Sequence, residues 1–329
     1  MASRLRYSLL AYRAVPEPCV NCSLSTTRTT ASASISQRKS RLFDDQPAFI
    51  YGTAWKKSQT KRLIKEALAH GFRRVDTAAQ PRHYQEPLVG DALREAFEEG
   101  LVKREEIYLQ TKYTTPAGQD LSNMPYDPEA PLDVQIRTSV ASSLKNLRHG
   151  QKSEDESYID CLLLHSPLPT SEQTLQAWRL LETYVPHKIR SLGISNVTLP
   201  ILRDLWLRAK VKPAVVQNRF YPDTYHDVEL REYCRLSGIM YQSFWTLTGN
   251  PVLLKSKPVA ALAKATNVEL PIALYALVMD QGIVALNGST STEHMQADSE
   301  GIRKVREWAE SNQKKFEYIR DDFSYLVAW

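Results

Sequence analysis

The chain has 329 residues, 43% of them hydrophobic and 24% charged, with a formal net charge of +5. This composition is typical of a globular protein with a packed core and allows one large α/β domain or two small ones. The excess positive charge lies before residue 42, so the rest gives no case for nucleic-acid binding. No apolar run reaches the roughly 20 residues of a membrane span, which argues against a membrane protein.

Residues 1–42 differ in composition from the rest of the chain. They carry only one acid, Glu17, among several arginines, and they are rich in serine and threonine. Two hypotheses stay open: a transit peptide, which implies a mitochondrial protein, or a disordered basic extension on a cytoplasmic one. Cys19 and Cys22 form a C-x-x-C here, but without a second pair it is a poor zinc or redox motif, so we predict no metal site.

From residue 48 onward, predicted strands and helices alternate. Short apolar runs rich in β-formers predict eight strands, at 48–54, 72–78, 106–112, 158–165, 189–196, 214–218, 240–245 and 283–286. Apolar residues at helical spacing predict helices at 58–70, 88–99, 171–184, 199–209 and 227–237. They also predict a helix that ends at 147, helical segments within 255–281 and a last helix that begins at about 292. Ser58 is the predicted N-cap of the first helix and Gly71 closes it. The loop over 113–131 is of a length that is often functional.

Eight β-then-α units in succession predict a single (β/α)₈ TIM barrel over residues 43–329, with its active site at the carboxyl ends of the strands. A doubly wound open sheet is the alternative, but no G-x-G-x-x-G follows an early strand. Asp76, Lys112 and His165 lie at the carboxyl ends of the second, third and fourth strands, and Tyr84 lies in the loop after Asp76. In a closed barrel these ends meet at one mouth.

The stretch 71–93, Gly-Phe-Arg-Arg-Val-Asp-Thr-Ala-Ala-Gln-Pro-Arg-His-Tyr-Gln-Glu-Pro-Leu-Val-Gly-Asp-Ala-Leu, resembles the G-F-R-x-[IV]-D-T-A…Y…E…[VL]-G-x-A-[LI] motif of the aldo-keto reductases, as in a fungal-type member. Most of that family place the tyrosine five residues after the aspartate. Here Pro81 holds that position and Tyr84 follows three residues later. We interpret the difference as a small loop insertion.

Three further motifs match the same family: Leu-Gln-Thr-Lys ending at Lys112, Asp-Cys-Leu-Leu-Leu-His ending at His165, and Ser-Leu-Gly-Ile-Ser-Asn ending at Asn196. The resemblance covers about residues 48–300. It implies a monomeric oxidoreductase that reduces an aldehyde or ketone, a small carbonyl compound, with NADPH.

Carbonyl reduction by hydride leaves negative charge on oxygen, and this explains the four residue types. A free phenol, with a pKa of about 10, is a poor acid near neutrality, and a nearby ammonium lowers that pKa. We therefore expect Tyr84 to donate the proton with Lys112 beside it. Asp76 would keep Lys112 charged, and His165 would orient the carbonyl oxygen. Taken alone, Asp76 is as well explained as a structural ion-pair partner and His165 as a core histidine.

The resemblance also assigns residues to the cofactor. Ser195 and Asn196, which end the fifth predicted strand, and Gln217 near the end of the sixth would hold the nicotinamide carboxamide. Phe244 would stack on the nicotinamide ring. Simple core packing is the alternative for Phe244.

After the eighth strand, the chain enters a helix through Asn-Gly-Ser-Thr-Ser-Thr-Glu-His, and a helix N-terminus of this kind suits a phosphate. Family members that prefer NADPH usually carry a lysine and an arginine here, at positions that match Gly288 and His294. Ser289, Ser291 and His294 are the predicted phosphate ligands. Because glycine at position 288 lacks the positive charge of the usual lysine, NADH remains an alternative to NADPH as the cofactor.

Aromatic residues at loop positions are candidates for the substrate mouth, namely Trp55, Tyr113 and Tyr126, with ordinary packing as the alternative. Two other functions stay open. One is a dinucleotide-binding barrel with a regulatory role and no catalysis. The other is an isomerase or aldolase in which Lys112 forms a Schiff base, although pairing with Asp76 argues against that.

Overall fold

The computed structural model describes Leu42, residues 49–150 and residues 157–328. Residues 1–41, and with them Cys19 and Cys22, lie outside the described residues, so the hypotheses on the leader stay predictions. Eight parallel strands form a closed barrel in chain order, and the first pairs with the eighth through Phe49↔Ala285 and Tyr51↔Asn287. The predicted (β/α)₈ barrel is confirmed, and the open doubly wound alternative is excluded.

The strands are β1 Phe49–Gly52, β2 Arg74–Asp76, β3 Tyr108–Tyr113, β4 Ile159–Leu164, β5 Ile189–Ser195, β6 Val215–Arg219, β7 Met240–Phe244 and β8 Val284–Asn287. The helices are α1 Thr60–Ala69, α2 Glu86–Glu98, α3 Leu132–Asn146, α4 Ser171–Glu182, α5 Leu199–Arg208, α6 Val228–Leu236, α7 Pro251–Leu254, α8 Lys257–Thr266, α9 Leu270–Asp280, α10 Thr292–Ser311 and α11 Gln313–Ala328. All eight predicted strands exist, with bounds shifted by one or two residues.

The start of the first helix differs from the prediction. Ser58 does not cap α1, because a short 3₁₀ turn over Lys57–Gln59 comes first and α1 begins at Thr60. Gly71 ends α1 as predicted, with a φ of 89° that favours glycine. None of the described helices is by itself long and apolar enough to cross a membrane, and α8 and α9 reach that length and apolarity only as a pair bent by 108°.

Alternation of side chains along the strands builds the barrel interior in layers. The layer nearest the amino ends is apolar and contains Cys161, Leu163, Val215, Tyr108 and Met240. Two residues further along β3 and β7, Gln110 and Gln242 exchange two hydrogen bonds of 2.9 Å across the barrel. Two residues further again, the same face carries Lys112 and Phe244. The period of two therefore directs site residues on several strands to the same mouth.

The glycine of the tyrosine-containing motif, Gly90, lies where two helices pack too closely for a side chain. It lies in α2 against the last turn of α3, where a Cβ would come 1.8 Å from the Asn146 carbonyl oxygen. Gly90→Ala would force the two helices apart, and we expect it to lower the free energy of unfolding by about 2 kcal/mol or more. Urea denaturation measures this. Gly150→Ala is the control, because among the described residues, its chain neighbours aside, none has an atom within 4 Å of the added Cβ. An equal loss in both variants would contradict the packing argument.

Candidate active site

A buried ion pair lies at the centre of the barrel mouth. Lys112 Nζ donates to both carboxylate oxygens of Asp76, at 2.7 and 2.6 Å, and to the Thr77 carbonyl at 2.9 Å. Both side chains are almost fully buried. Burial lowers the pKa of Lys112, but the Asp76 carboxylate and the Tyr84 oxygen outweigh it, and the net pKa is raised. Lys112 is therefore an ammonium whose donors point at fixed acceptors.

Tyr84 lies beside this pair despite its displaced position in the sequence. Its ring centre is 5.1 Å from Lys112 Nζ and 6.2 Å from the ring centre of His165. The chain returns to the mouth because the Tyr84 amide bonds to the Gln80 carbonyl at 2.9 Å. Burial raises the pKa of Tyr84, and Lys112 acts in the opposite direction without cancelling it. The phenol is therefore held protonated, which the sequence argument alone did not predict.

His165 faces Tyr84 across the mouth and is bonded on its far side. Its Nδ1 lies 2.6 Å from the Thr114 hydroxyl. Burial, together with the Lys112 ammonium and His83, lowers the pKa of His165 to about 3. The imidazole is therefore neutral at physiological pH. Thr114 was missed in the sequence analysis, although its place two residues after Lys112 sets it on the same side of the chain.

Asp76 is also tied to an amide layer beneath it. Gln110 donates to Asp76 Oδ1 at 2.6 Å, and Gln217 donates to the same oxygen at 3.1 Å and to Gln242 at 2.9 Å. All of these side chains are buried. Gln217, a predicted cofactor ligand, thus uses both amide hydrogens within the barrel. Gln110 and Gln242 were missed, and the pattern that reveals them is a polar residue two positions before a site residue on a buried strand.

The carboxyl end of β5 carries the other two predicted carboxamide ligands. Ser195 Oγ donates to the Gln217 carbonyl at 2.6 Å, and Asn196 donates to the His165 carbonyl at 2.9 Å. Asn196 has a φ of 54°, which turns its side chain towards β4. Arg219, not singled out from sequence, donates to Asn196 Oδ1 at 3.1 Å.

Phe244 ends β7 next to this group. Its ring is half-buried, so the alternative of complete core packing is not what the structure has. The guanidinium of Arg219 lies 5.3 Å from the ring centre of Phe244 and 4.9 Å from that of Trp245. A cavity of about 730 Å³ lies between the loops after β5 and β6, and Asn196 and Arg219 line it.

The turn after β8 forms the N-terminus of α10. Ser291 caps the helix, since its Oγ accepts from the His294 amide at 3.2 Å. The Ser289 hydroxyl donates to the Ser291 carbonyl at 3.1 Å, and His294 itself is exposed. The Gly288 carbonyl accepts a hydrogen bond from Lys56, which comes from the loop after β1 and was not predicted.

The three aromatic residues predicted to line the substrate mouth lie in two different places, one exposed and two buried. Trp55 is 66% exposed at the mouth, and its ring centre is 3.7 Å from that of His83. Tyr113 and Tyr126 are instead buried against each other, with ring centres 5.8 Å apart. Tyr113 follows Lys112 on β3 and so points to the opposite face of the sheet, towards α3, where its hydroxyl bonds to Gln135 at 3.3 Å. The prediction for these two tyrosines was wrong, because they are core residues.

Over the described ranges, no group of three or more His, Cys, Asp or Glu side chains is arranged to hold a metal ion. Cys161 and Cys234 are buried free thiols. The polar groups at the mouth are therefore the ion pair, the phenol, the imidazole and the amides described above.

Comparisons with known proteins show the family and the fold of this chain. The model of the Aldo/keto reductase family matches residues 48–315. Glycerol 2-dehydrogenase (NADP(+)) of Hypocrea jecorina is 26% identical over 324 residues, which cover 85% of this chain and 94% of the relative. NAD(P)H-dependent D-xylose reductase of Candida tenuis is 29% identical over 243 residues, 65% of this chain and 68% of the relative. An aldo-keto reductase of Bombyx mori, solved in complex with NADP, superposes with a TM-score of 0.63 at 21% identity, over 80% of this chain and 89% of that one.

Proposed function

The chain belongs to the aldo/keto reductase family and is therefore an oxidoreductase, and we propose that it reduces an aldehyde or ketone to an alcohol with NADPH and with Tyr84 as the proton donor. The observation that carries the proposal is the meeting of four groups at one mouth. Asp76 holds Lys112 at 2.6 Å, Lys112 lies 5.1 Å from the Tyr84 ring, and His165 faces that ring.

The residues present fit a reduced nicotinamide dinucleotide. Ser195, Asn196 and Gln217 offer hydroxyl and amide groups within one cluster beside Asp76. Phe244 offers a half-buried ring at the edge of that cluster. When bound, the reduced nicotinamide supplies the hydride. Ser289, Ser291 and His294, at the N-terminus of α10, are suited to a phosphate group.

Each of the four central residues has a defined task in this proposal. The neutral imidazole of His165 contacts the carbonyl oxygen and orients it. Tyr84 gives its proton to that oxygen as hydride reaches the carbon, so the product is a neutral alcohol. Lys112 stabilises the phenolate that remains until solvent returns the proton, and Asp76 keeps Lys112 charged and in place. Burial keeps the proton on the phenol before the reaction, and the Lys112 ammonium, which acts on the pKa of Tyr84 in the opposite direction, favours its transfer to the carbonyl oxygen.

The experiment that tests the function is a fluorescence titration of the full chain with NADPH and NADH, followed by a panel of aldehydes and ketones. Turnover is followed by the loss of reduced-nicotinamide absorbance. We expect saturable binding of NADPH and oxidation that depends on the carbonyl compound. Tight binding of dinucleotide without turnover of any carbonyl would reject the reductase and favour the regulatory barrel.

The alternative with Lys112 as a Schiff-base nucleophile is disfavoured. A lysine nucleophile needs a lowered pKa and a free lone pair. Lys112 has a raised pKa and donates three hydrogen bonds to Asp76 and Thr77.

Thr114 is the positioning residue for His165 in this scheme. Thr114→Val removes the hydroxyl at Nδ1, and the ring would lose its fixed orientation. We expect kcat to fall about tenfold, because the loss of one hydrogen bond costs about 1 kcal/mol, and we expect the Kd for NADPH to stay unchanged. Thr114→Ser keeps the hydroxyl and should restore kcat. A Val variant with the kcat of the wild type would show that the 2.6 Å contact does not orient the imidazole.

A further inference from the structure

Lys56 is a buried cation at the turn after β8. It lies in the loop between β1 and α1, is only 7% exposed, and donates from Nζ to the Gly288 carbonyl. Nζ also lies 5.8 Å from the ring centre of Tyr51, whose hydroxyl donates to the Ser289 carbonyl at 2.8 Å. Over the described part of the chain, no carboxylate lies within 4 Å of Nζ. A buried ammonium without a carboxylate partner is costly, and this indicates that an anion belongs beside it.

The Lys56 ammonium lies next to Gly288. Among the described residues other than its chain neighbours, Lys56 alone comes within 4 Å of a Cβ built on Gly288, with Nζ at 3.7 Å. Lys56 therefore brings its charge, from 232 residues away in sequence, to the place where a side chain at position 288 would begin. A phosphate in this space would meet Nζ on one side and the N-terminus of α10 on the other.

The loop that carries Lys56 is held in an unusual conformation. Trp55 and Lys57, on either side of it, have φ values of 65° and 50°, a region that side chains other than glycine rarely adopt. The Trp55 amide bonds to the His83 carbonyl at 2.7 Å, which fixes this loop to the one that carries Tyr84. Strained backbone on both sides of Lys56 indicates that this loop conformation serves to hold the Lys56 side chain against the turn after β8.

Two carboxylates border the turn, and one of them, Glu66, is paired with Arg62 at 2.5 Å. Ser291 donates to the Glu293 carboxylate at 2.6 Å, and Thr292 donates to Glu66 at 2.7 Å. These acids oppose the favourable field of the helix N-terminus. The second positive candidate, His294, is exposed to solvent.

We infer that Lys56 replaces the missing cation at position 288 and binds the 2′-phosphate of NADPH, so that it sets the preference of this chain for the phosphorylated dinucleotide. The inference rests on the proposed dinucleotide-binding function and deepens it. The sequence left the choice between NADPH and NADH open, because Gly288 carries no positive charge. In this inference Lys56, from the loop after β1, supplies that charge.

The first test uses the unmodified chain and no turnover. Calorimetry compares 2′,5′-ADP with 5′-AMP, which lacks the 2′-phosphate. We expect 2′,5′-ADP to bind at least about tenfold more tightly, as one charge-assisted contact provides. Equal affinities would overturn the inference. Carbonyl turnover is measured separately, so a chain that binds 2′,5′-ADP selectively but reduces no carbonyl would reject the proposed reaction and still support Lys56 as the phosphate ligand.

The second test uses matched variants. Lys56→Gln should raise the Kd for NADPH about tenfold or more while the Kd for NADH changes less than about twofold. Lys57→Gln, at the exposed neighbour, should leave both unchanged. Lys56→Gln combined with Gly288→Lys returns a cation to the turn and should recover tight NADPH binding. An unchanged Kd for NADPH in Lys56→Gln, an equal rise for both dinucleotides, or no recovery in the double variant would each overturn the inference.

Discussion

Replacement of Tyr84 by phenylalanine is expected to lower kcat for carbonyl reduction by about a thousandfold, with little change in the Kd for NADPH. The Tyr84 phenol lies beside Lys112, at 5.1 Å from Nζ to the ring centre, and phenylalanine keeps the ring while removing the hydroxyl that carries the proton. General acid catalysis contributes about 10²–10⁴-fold to a rate, so its loss should be of that size. Single-turnover kinetics with a saturating aldehyde measure the loss.

Tyr113→Phe is the matched control for this variant. Tyr113 follows Lys112 directly, but its hydroxyl points away from the mouth to Gln135. It should retain nearly full kcat, and the thermal midpoints of both variants show whether either has lost its fold. If Tyr84→Phe keeps more than a tenth of the wild-type rate, another group donates the proton and the mechanism proposed above fails.

Lys112→Met is expected to abolish activity and also to destabilise the barrel. The variant leaves the Asp76 carboxylate buried without its cation, and breaking a buried pair in this way costs about 3–5 kcal/mol. Activity falls as well, because Lys112 is the group that lowers the pKa of Tyr84 against the effect of burial. Urea denaturation gives the first quantity and steady-state kinetics the second.

Two further variants separate the effects. Asp76→Asn together with Lys112→Met removes both charges and should recover most of the lost free energy of unfolding while activity stays absent. Lys65→Met removes a partly exposed lysine that pairs with the exposed Glu99 at 2.7 Å, and it should change stability by less than about 1 kcal/mol. A stable Lys112→Met variant would mean that Asp76 does not need its cation.

Much of the site was predictable because strands have a fixed period. Asp76 ends β2, Lys112 lies one residue before the end of β3, and His165 directly follows β4, so each position predicted from the motifs lies at or next to a strand end. The same period could have prevented the error at Tyr113, since a residue next to Lys112 on a strand must face the other way. No such rule applies to Tyr126, because it lies in a loop and not on a strand. Its position follows from the packing of its ring against Tyr113.

Loop geometry was the part that sequence spacing left undecided. The distance in sequence from Asp76 to Tyr84 does not say where the phenol lies, and the hydrogen bond from the Tyr84 amide to the Gln80 carbonyl brings it back to the mouth. Likewise, no pattern connects Lys56 with Gly288, which meet only because β1 and β8 close the barrel.

The sequence by itself determined the barrel, the order of its strands and the chemical types at their carboxyl ends, because alternation and helical spacing are local properties written along the chain. The tertiary structure alone decided which loop groups reach those strand ends: the phenol of Tyr84, the hydroxyl of Thr114 and the ammonium of Lys56. Loops have no repeating geometry, so their conformation follows from contacts with residues far away in the chain, and these exist only once the barrel has closed.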